Sequence, residues 1–153
     1  MIDPERFIEA EIASRTEARV LVLMACACAK IAVMASCKDE RILVDALRSM
    51  WIALTGETTP DACRQLIRYI ERLAATKHWK SAQWFAANAV LQAAEAVLMF
   101  IEGFGGCEDL FRYRIVRTVR LARFGIDPLI SPRGDRQMCT RMSEILGGER
   151  KAA

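Results

Sequence analysis

Residues 21–30 have the sequence LVLMACACAK, in which nine apolar residues precede the first charge. A membrane-spanning helix needs about 20 consecutive apolar residues. The apolar run here begins at Val20 and ends after ten residues at Ala29. A second uncharged run, residues 81–94, also stops short of that length at Glu95. Both runs therefore predict helices that are buried in the core of a folded domain rather than spans of a bilayer.

The two cysteines of the first run, Cys26 and Cys28, are poorly placed for metal binding. Residues two apart on an α-helix project about 200° away from each other, so the two thiols cannot face one ion. Structural zinc sites use a C-x(2–4)-C pair together with a matching second pair, and the other four cysteines do not supply one. We predict no metal and no cofactor, and we expect both cysteines to act as small buried apolar side chains.

The rest of the chain has the composition of a helical protein, with few aromatic residues and many helix formers such as Ala, Leu, Met, Arg and Glu. The fold class that we predict is all-α, a single domain over residues 1–153 with about six helices. The predicted helices are 4–14, 16–36, 39–55, 60–75, 80–101 and 108–124, and Asp3 and Thr59 are the predicted N-caps of the first and the fourth. A short last helix from Asp135 to Leu146 follows, and the tail is expected to fray from about residue 147.

Two of these helices, 16–36 and 80–101, lack a clear polar face. A helix that is apolar on all sides occupies the centre of a domain. The remaining helices are amphipathic, so we expect them to pack around this pair as in a helical bundle.

A stripe of three polar residues interrupts the apolar helix 80–101. Asn88, Gln92 and Glu95 are spaced i, i+4 and i+7, which places them on one face. A carboxylate in apolar surroundings needs a partner. Either Glu95 forms a salt bridge to an arginine of a neighbouring helix, or the three residues together form the floor of a small polar pocket, and we favour the structural role.

The strongest surface signal is a row of arginines in the helix 108–124. The residues that share this face, the last of them towards its edge, are Arg114, Arg117, Arg120 and Arg123. The opposite positions, which we expect in the core, are Phe111, Ile115, Val119 and Ala122. Guanidinium groups present planar forks of donors that suit phosphates and carboxylates. The row therefore indicates an acidic partner or, alternatively, a solvated face that also pairs with the acidic N-terminal helices.

No catalytic motif is found in the sequence: it has no G-x-G-x-x-G, P-loop, G-x-S-x-G or H-E-x-x-H pattern. The single histidine, His78, lies between Lys77 and Trp79 with no carboxylate near it in sequence to orient it as a base. We interpret His78 as a surface or capping residue and predict no catalytic residue.

The net charge and the first residues of the chain bear on where in the cell the protein is expected. The net charge is +3, and the surplus lies in residues 108–153, which hold ten Lys/Arg and six Asp/Glu. The first residues, MIDPERFIEAEIASR, carry acids where a secretory signal has a basic segment. Six cysteines without a secretory signal indicate reduced thiols. We therefore expect a cytoplasmic protein with no membrane partner.

One stretch, LMACACAKIAVMASCKDERILVDALRSMWIALTGE, resembles the first half of the bacterial YjaG-like family, a domain of unknown function. The matching residues are Met24, Ala25, Cys26, Cys28, Met34, Trp51, Leu54 and Thr55. The stretch SAQWFAANAVLQAAEAVLMFIEG is similar to the later alanine-rich helix of that family, so the resemblance covers roughly residues 20–102. An acidic segment that precedes the alanine-rich helix in the family is replaced here by RLAATKHWK.

The resemblance implies an all-helical cytoplasmic domain with a buried cysteine-bearing helix, and it implies no catalytic residue. Domains of similar appearance also occur as immunity proteins beside bacterial toxins, which is an analogy of fold. We hypothesise a non-enzymatic protein-binding module, with neutralisation of an acidic partner as its most concrete form. Nucleic-acid binding through the helix 108–124 and a small-molecule pocket around Glu95 are the alternatives, and a homo-oligomer is left open.

Overall fold

The computed structural model describes residues 3–56, 58–104, 106–127 and 129–152 of the chain. Within these residues there are seven α-helices and no strand, which confirms the all-α prediction. The helices are α1 (Pro4–Ala13), α2 (Ala18–Ser36), α3 (Arg41–Thr55), α4 (Pro60–Ala75), α5 (Ala82–Glu102), α6 (Glu108–Ile126) and α7 (Pro132–Ala152).

The ends of the helices follow local capping rules. The side chains of Asp3 and Thr59 accept hydrogen bonds from the first turns of α1 and α4, as predicted. Ser81 caps α5 in the same way, and Gly103 ends it with a left-handed φ of 79°. Arg15 also has a positive φ, of 58°, which separates α1 from α2.

The two apolar helices, α2 and α5, form the centre of the domain, as predicted. α2 packs against α1, α3, α5, α6 and α7, whereas α5 packs against α2, α3, α4 and α6. The helices that surround α2 contact one another in succession: α3 contacts α5, α5 contacts α6, and α6 contacts α7. Among the described residues, α3 and α7 do not contact each other. The ring of helices around α2 is therefore open between α3 and α7.

The cysteine-bearing segment of α2 is part of the core. Cys26 is 2% exposed and Cys28 is fully buried, which confirms that both behave as buried apolar side chains. Burial raises the pKa of Cys26 from 9.0 to about 12, and that of Cys28 is also raised by burial. Neither thiol is therefore an ionised nucleophile near neutral pH.

Both central helices also meet the length and composition of a membrane span. The mean hydropathy over the best 18 residues is 2.0 for α2 and 1.5 for α5. In this fold, 67% and 44% of those windows are buried inside the protein. A core helix gives the same signal, so length and composition alone do not distinguish the two cases.

The structure corrects the last part of the predicted fold. α7 begins at Pro132 rather than Asp135, and it continues to Ala152 instead of ending at Leu146. The reason lies in ionic contacts that its last turn makes. Arg19 of α2 lies 3.0 Å from Glu149, and the Arg150 guanidinium lies 3.8 Å from a carboxylate of α1. These contacts hold the segment that follows Gly147 and Gly148 in helical form.

Candidate functional site

The open side of the ring is a groove of about 1010 Å³, which we call the α2–α3–α7 groove. α2 forms its floor, and α3 and α7 form its two walls. The lining residues of α2 are Cys26, Ala27, Lys30, Ile31, Val33 and Met34. Those of α3 are Val44, Leu47, Arg48, Trp51 and Ile52. Those of α7 are Arg133, Arg136, Gln137, Thr140, Arg141 and Glu144.

α3 can form a wall of the groove because it carries apolar residues on two faces, one towards the core and one towards the groove. Its inner stripe, which includes Leu43 and Met50, is buried in the core. Trp51 and Ile52 follow that stripe but point outwards, and they are 36% and 58% exposed. Met34 of α2 lies across the groove and is 50% exposed. The groove thus offers large apolar side chains to the solvent, which is typical of interaction sites.

The rim of the groove is basic. Its cations are Lys30, Arg48, Arg133, Arg136 and Arg141, all of them exposed. Among the residues that the structure describes, Glu144 is the single acid that lines the groove, and its carboxylate lies 3.2 Å from Arg141. Among the described residues the other four cations have no ion-pair partner. This combination of an apolar floor with unneutralised positive charge was not predicted from the sequence.

The predicted arginine row of α6 has a different environment from that expected of a free surface. The Arg123 guanidinium lies 2.8 Å from Asp135 of α7 and 3.0 Å from Glu5 of α1. These hydrogen bonds, first of all those of Asp135, raise its pKa. Arg120 also binds Glu5, at 3.0 Å. The predicted pairing with the acidic N-terminal segment is thus found for two of the four arginines.

Arg114 joins the arginine row to the polar stripe of α5. Its guanidinium donates to Gln92 Oε1 at 3.1 Å and forms an ion pair with Glu95. Burial lowers the pKa of Arg114. The salt bridge between Glu95 and an arginine of a neighbouring helix, which we favoured, is therefore the one that the structure contains. Asn88 is not part of this cluster, since its amide donates to the Trp84 carbonyl.

Arg117 differs from the rest of the row. It is half-buried, and it forms no ion pair with the part of the chain that the structure describes. The face opposite the row is in the core, as predicted, because Phe111, Ile115, Val119 and Ala122 are all buried. Three of the four predicted partner-binding arginines consequently hold α6 to α1, α5 and α7.

A second, smaller groove of about 670 Å³ lies between α4, α5 and α6. Glu95 and Arg114 line it, whereas Asn88 and Gln92 do not. Its charges alternate in sign, and Arg64 and Glu102 pair across it at 3.0 Å. At the place of the predicted pocket, Glu95 therefore lines a groove in which the central charges already neutralise each other.

The remaining candidates for chemistry stand apart from one another. His78 is exposed in the connection between α4 and α5. Across the described ranges no group of three His, Cys, Asp or Glu side chains is placed to hold a metal ion. Cys107 is the exposed thiol among the six cysteines, and the other five are buried.

The α2–α3–α7 groove is therefore the most distinctive surface of this fold. Comparison of the chain with protein-family models, with curated proteins and with solved structures finds no match.

Proposed function

We propose that this protein is a non-enzymatic binding module, and that its α2–α3–α7 groove binds an acidic surface of a partner protein. The observation that carries the proposal is the juxtaposition of Met34, Trp51 and Ile52 with four cations that form no ion pair in the described chain. Aromatic and apolar side chains supply most of the energy of protein interfaces, and Arg is enriched there.

The charge of the rim supports an acidic partner rather than a neutral one. A patch of one sign accelerates the encounter with a surface of the opposite sign and disfavours partners of like sign. The pairing of Arg114, Arg120 and Arg123 within the fold supports the groove, rather than the arginine row, as the contact surface.

Neutralisation of the partner, as by an immunity or antitoxin protein, is the concrete biological form of this proposal. It rests on the resemblance to the YjaG-like family and on the analogy with helical immunity domains. A basic, apolar groove is suited to such a role because it binds a surface without performing chemistry on it.

The two alternatives have less support. Nucleic-acid binding through α6 requires free guanidinium groups, whereas three of the four arginines form ion pairs inside the fold. A small-molecule site at Glu95 requires a free carboxylate, whereas Glu95 pairs with Arg114. Under both alternatives, a change in the charge of the α2–α3–α7 groove would leave the binding of the ligand unchanged.

A charge-reversal experiment tests the proposal. The wild-type protein, an Arg48→Glu/Arg136→Glu variant and an Arg117→Glu variant are each immobilised and exposed to lysate of the native host. We expect the wild type and the Arg117→Glu control to retain one acidic protein at a stoichiometric level, and the groove variant to lose it. Higher salt should weaken retention, because it screens exposed charges.

Each other outcome contradicts the proposal. Loss of the partner in Arg117→Glu with retention in the groove variant would assign the interface to α6. Retention of nucleic acid that salt releases would favour the nucleic-acid alternative. Equal retention by all three proteins would show that neither surface takes part.

A further inference from the structure

We infer that the occupant of the α2–α3–α7 groove is an amphipathic α-helix of the partner, with one apolar face flanked by acidic residues. This inference rests on the proposed function and specifies the structure of the bound segment. Its starting point is the open ring around α2, in which α3, α5, α6 and α7 pack in succession while α3 and α7 remain apart. A helix laid on α2 between α3 and α7 would close the ring.

The face of α2 that lines the groove has the spacing on which helices pack. The residues that line the groove include Ala27, Lys30, Ile31 and Met34, at positions i, i+3, i+4 and i+7. Such rows form the ridges and grooves into which the side chains of a neighbouring helix fit, with the two axes about 8–10 Å apart. The same face pattern that packs α2 against its other neighbours is therefore repeated on its open side.

The walls present the same periodicity. On α3 the lining residues are Val44, Leu47, Arg48, Trp51 and Ile52. On α7 they are Arg133, Arg136, Gln137, Thr140, Arg141 and Glu144. Each set repeats at intervals of three and four, so each wall is one face of a continuous helix. Three helical faces enclose the groove, and such a concave surface suits a cylindrical ligand better than a flat one.

The backbone of the groove argues against an extended peptide. A bound strand needs a sheet edge with unpaired N–H and C=O groups to hydrogen-bond it. The floor and both walls here are helices, whose backbone groups pair within each helix. A helical ligand satisfies its own backbone hydrogen bonds and can therefore enter a groove that offers only side chains.

The cations specify the flanks of the bound helix. On the rim, Lys30 comes from α2 and Arg48 from α3, whereas Arg133, Arg136 and Arg141 come from α7. A helix seated between them has its apolar stripe on α2, and its flanking positions face positive charge on both sides. Acidic residues at those positions form the kind of interhelical pairs that set partner choice in coiled coils.

A second copy of this chain is a poor source for such a helix. α1 is the acidic candidate, with Glu5, Glu9 and Glu11, but its apolar residue Ile8 is fully buried in its own core. Glu5 is also bound to Arg120 and Arg123. A second copy would have to detach α1 from its own domain in order to supply it.

Designed peptides test the inference. The probe is an 18-residue peptide with Leu at i, i+3, i+4 and i+7 spacing and Glu on both flanks. One control peptide replaces Glu by Lys, and another has the acidic composition with a central Pro that breaks the helix. We expect the acidic helix to bind, to gain helical circular dichroism, and to shift the NMR signals of Met34 and Trp51. Both controls should bind at least ten-fold more weakly.

Two variants of the same helix locate the site. Ile52→Glu places an acid in the groove, whereas Ile42→Glu makes the same change at a comparably exposed residue that does not line it. We expect Ile52→Glu to lower the affinity for the acidic peptide at least ten-fold and Ile42→Glu to leave it within two-fold. Because both residues are already exposed, both variants should fold, which circular dichroism will verify.

Three results would overturn the inference. If the Pro-containing acidic peptide binds as tightly as the intact one, the groove binds acidic segments without requiring a helix, and the proposed function survives. If Ile42→Glu and Ile52→Glu weaken binding equally, the peptide does not lie in the groove. If no acidic peptide binds while the charge-reversal experiment still identifies a partner, the helical occupant alone is wrong.

Discussion

Arg123 and Asp135 are joined by two parallel hydrogen bonds, with Nε and Nη2 of the arginine 2.9 and 2.8 Å from the two carboxylate oxygens. The side chains are only 13% and 11% exposed. Glu5 adds a third contact to Arg123 Nη1 at 3.0 Å. One guanidinium thereby connects α6, the first turn of α7 and α1. It also fixes the position of the helix that forms one wall of the α2–α3–α7 groove.

We predict that Arg123→Met lowers the free energy of unfolding by about 2–4 kcal/mol, because it leaves the carboxylate of Asp135 largely buried without its partner and removes one of the two arginines that bind Glu5. Urea denaturation measures the change. Arg112→Met is the matched control on the same helix: Arg112 is half-exposed and lies 3.9 Å from Asp109. Its loss should change stability by less than about 1 kcal/mol. Similar effects of the two substitutions would refute the connecting role of Arg123.

Gly125 marks a close approach of α6 to the two central helices. A Cβ atom there would lie 3.0 Å from the Ala32 Cβ and 3.0 Å from the Ala86 backbone nitrogen. We predict that Gly125→Ala lowers the free energy of unfolding by about 1–3 kcal/mol, since the crowding outweighs the better helix propensity of alanine. Thermal or urea denaturation gives the value.

Gly148 supplies the opposite case in α7. A Cβ atom at Gly148 has no neighbour within 4 Å, so Gly148→Ala should raise the free energy of unfolding by about 0.5–1 kcal/mol through helix propensity alone. A gain in stability from Gly125→Ala, or a loss from Gly148→Ala, would contradict the packing described above.

The buried thiols predict a loss of stability at alkaline pH. Burial raises the pKa of Cys26 from 9.0 to about 12. Above pH 9 the unfolded chain therefore loses a proton that the folded chain keeps, so stability is complete below that pH and falls as pH rises towards 12. One thiol contributes about 1.4 kcal/mol per pH unit in this range.

Cys26→Ala isolates this contribution. Its stability relative to the wild type should rise by about that amount for each pH unit between pH 9 and 11, in urea titrations at fixed ionic strength. The slope is the test, because a change in packing shifts the stability equally at every pH. Parallel curves for the two proteins would mean that Cys26 is not protected from ionisation.

Thiol chemistry gives a second, kinetic prediction. Cys107 is exposed, whereas the other five cysteines are buried. A disulfide reagent such as DTNB should therefore modify one thiol rapidly in the native protein and the remaining five only as fast as the fold opens. Cys107→Ser should abolish the fast phase and leave the slow one. Two or more fast thiols in the wild type would contradict the burial described for this core.

The sequence was sufficient for those parts of the fold that depend on local pattern. The apolar runs predicted the central helices, and Asp3 and Thr59 capped α1 and α4 as expected. The end of α7 was not predictable in this way, because two glycines weaken the local signal. Its last turn is paired instead with a residue far away in the sequence, since Glu149 binds Arg19 across 130 residues.

The candidate site likewise has one part that local sequence patterns predict and another that depends on the tertiary arrangement. The spacing of Gln92 and Glu95 predicted a shared face, and the structure adds Arg114 as their partner. The α2–α3–α7 groove depends on how three helices are arranged, which periodicity does not give. A signal was nevertheless present in α3, where Trp51 and Ile52 extend the apolar pattern beyond the width that one core-facing stripe requires.

If the proposed partner binds in the open ring around α2, its recognition is coupled to folding. The helix with the most buried residues of the core also forms the floor of the groove, so a ligand seated there binds only the folded chain. By mass action, a partner present at 100 times its dissociation constant would add about 2.7 kcal/mol to the free energy of unfolding. In a cell, the lifetime of this protein would then follow the abundance of its partner, because proteases act on the unfolded fraction that the partner depletes.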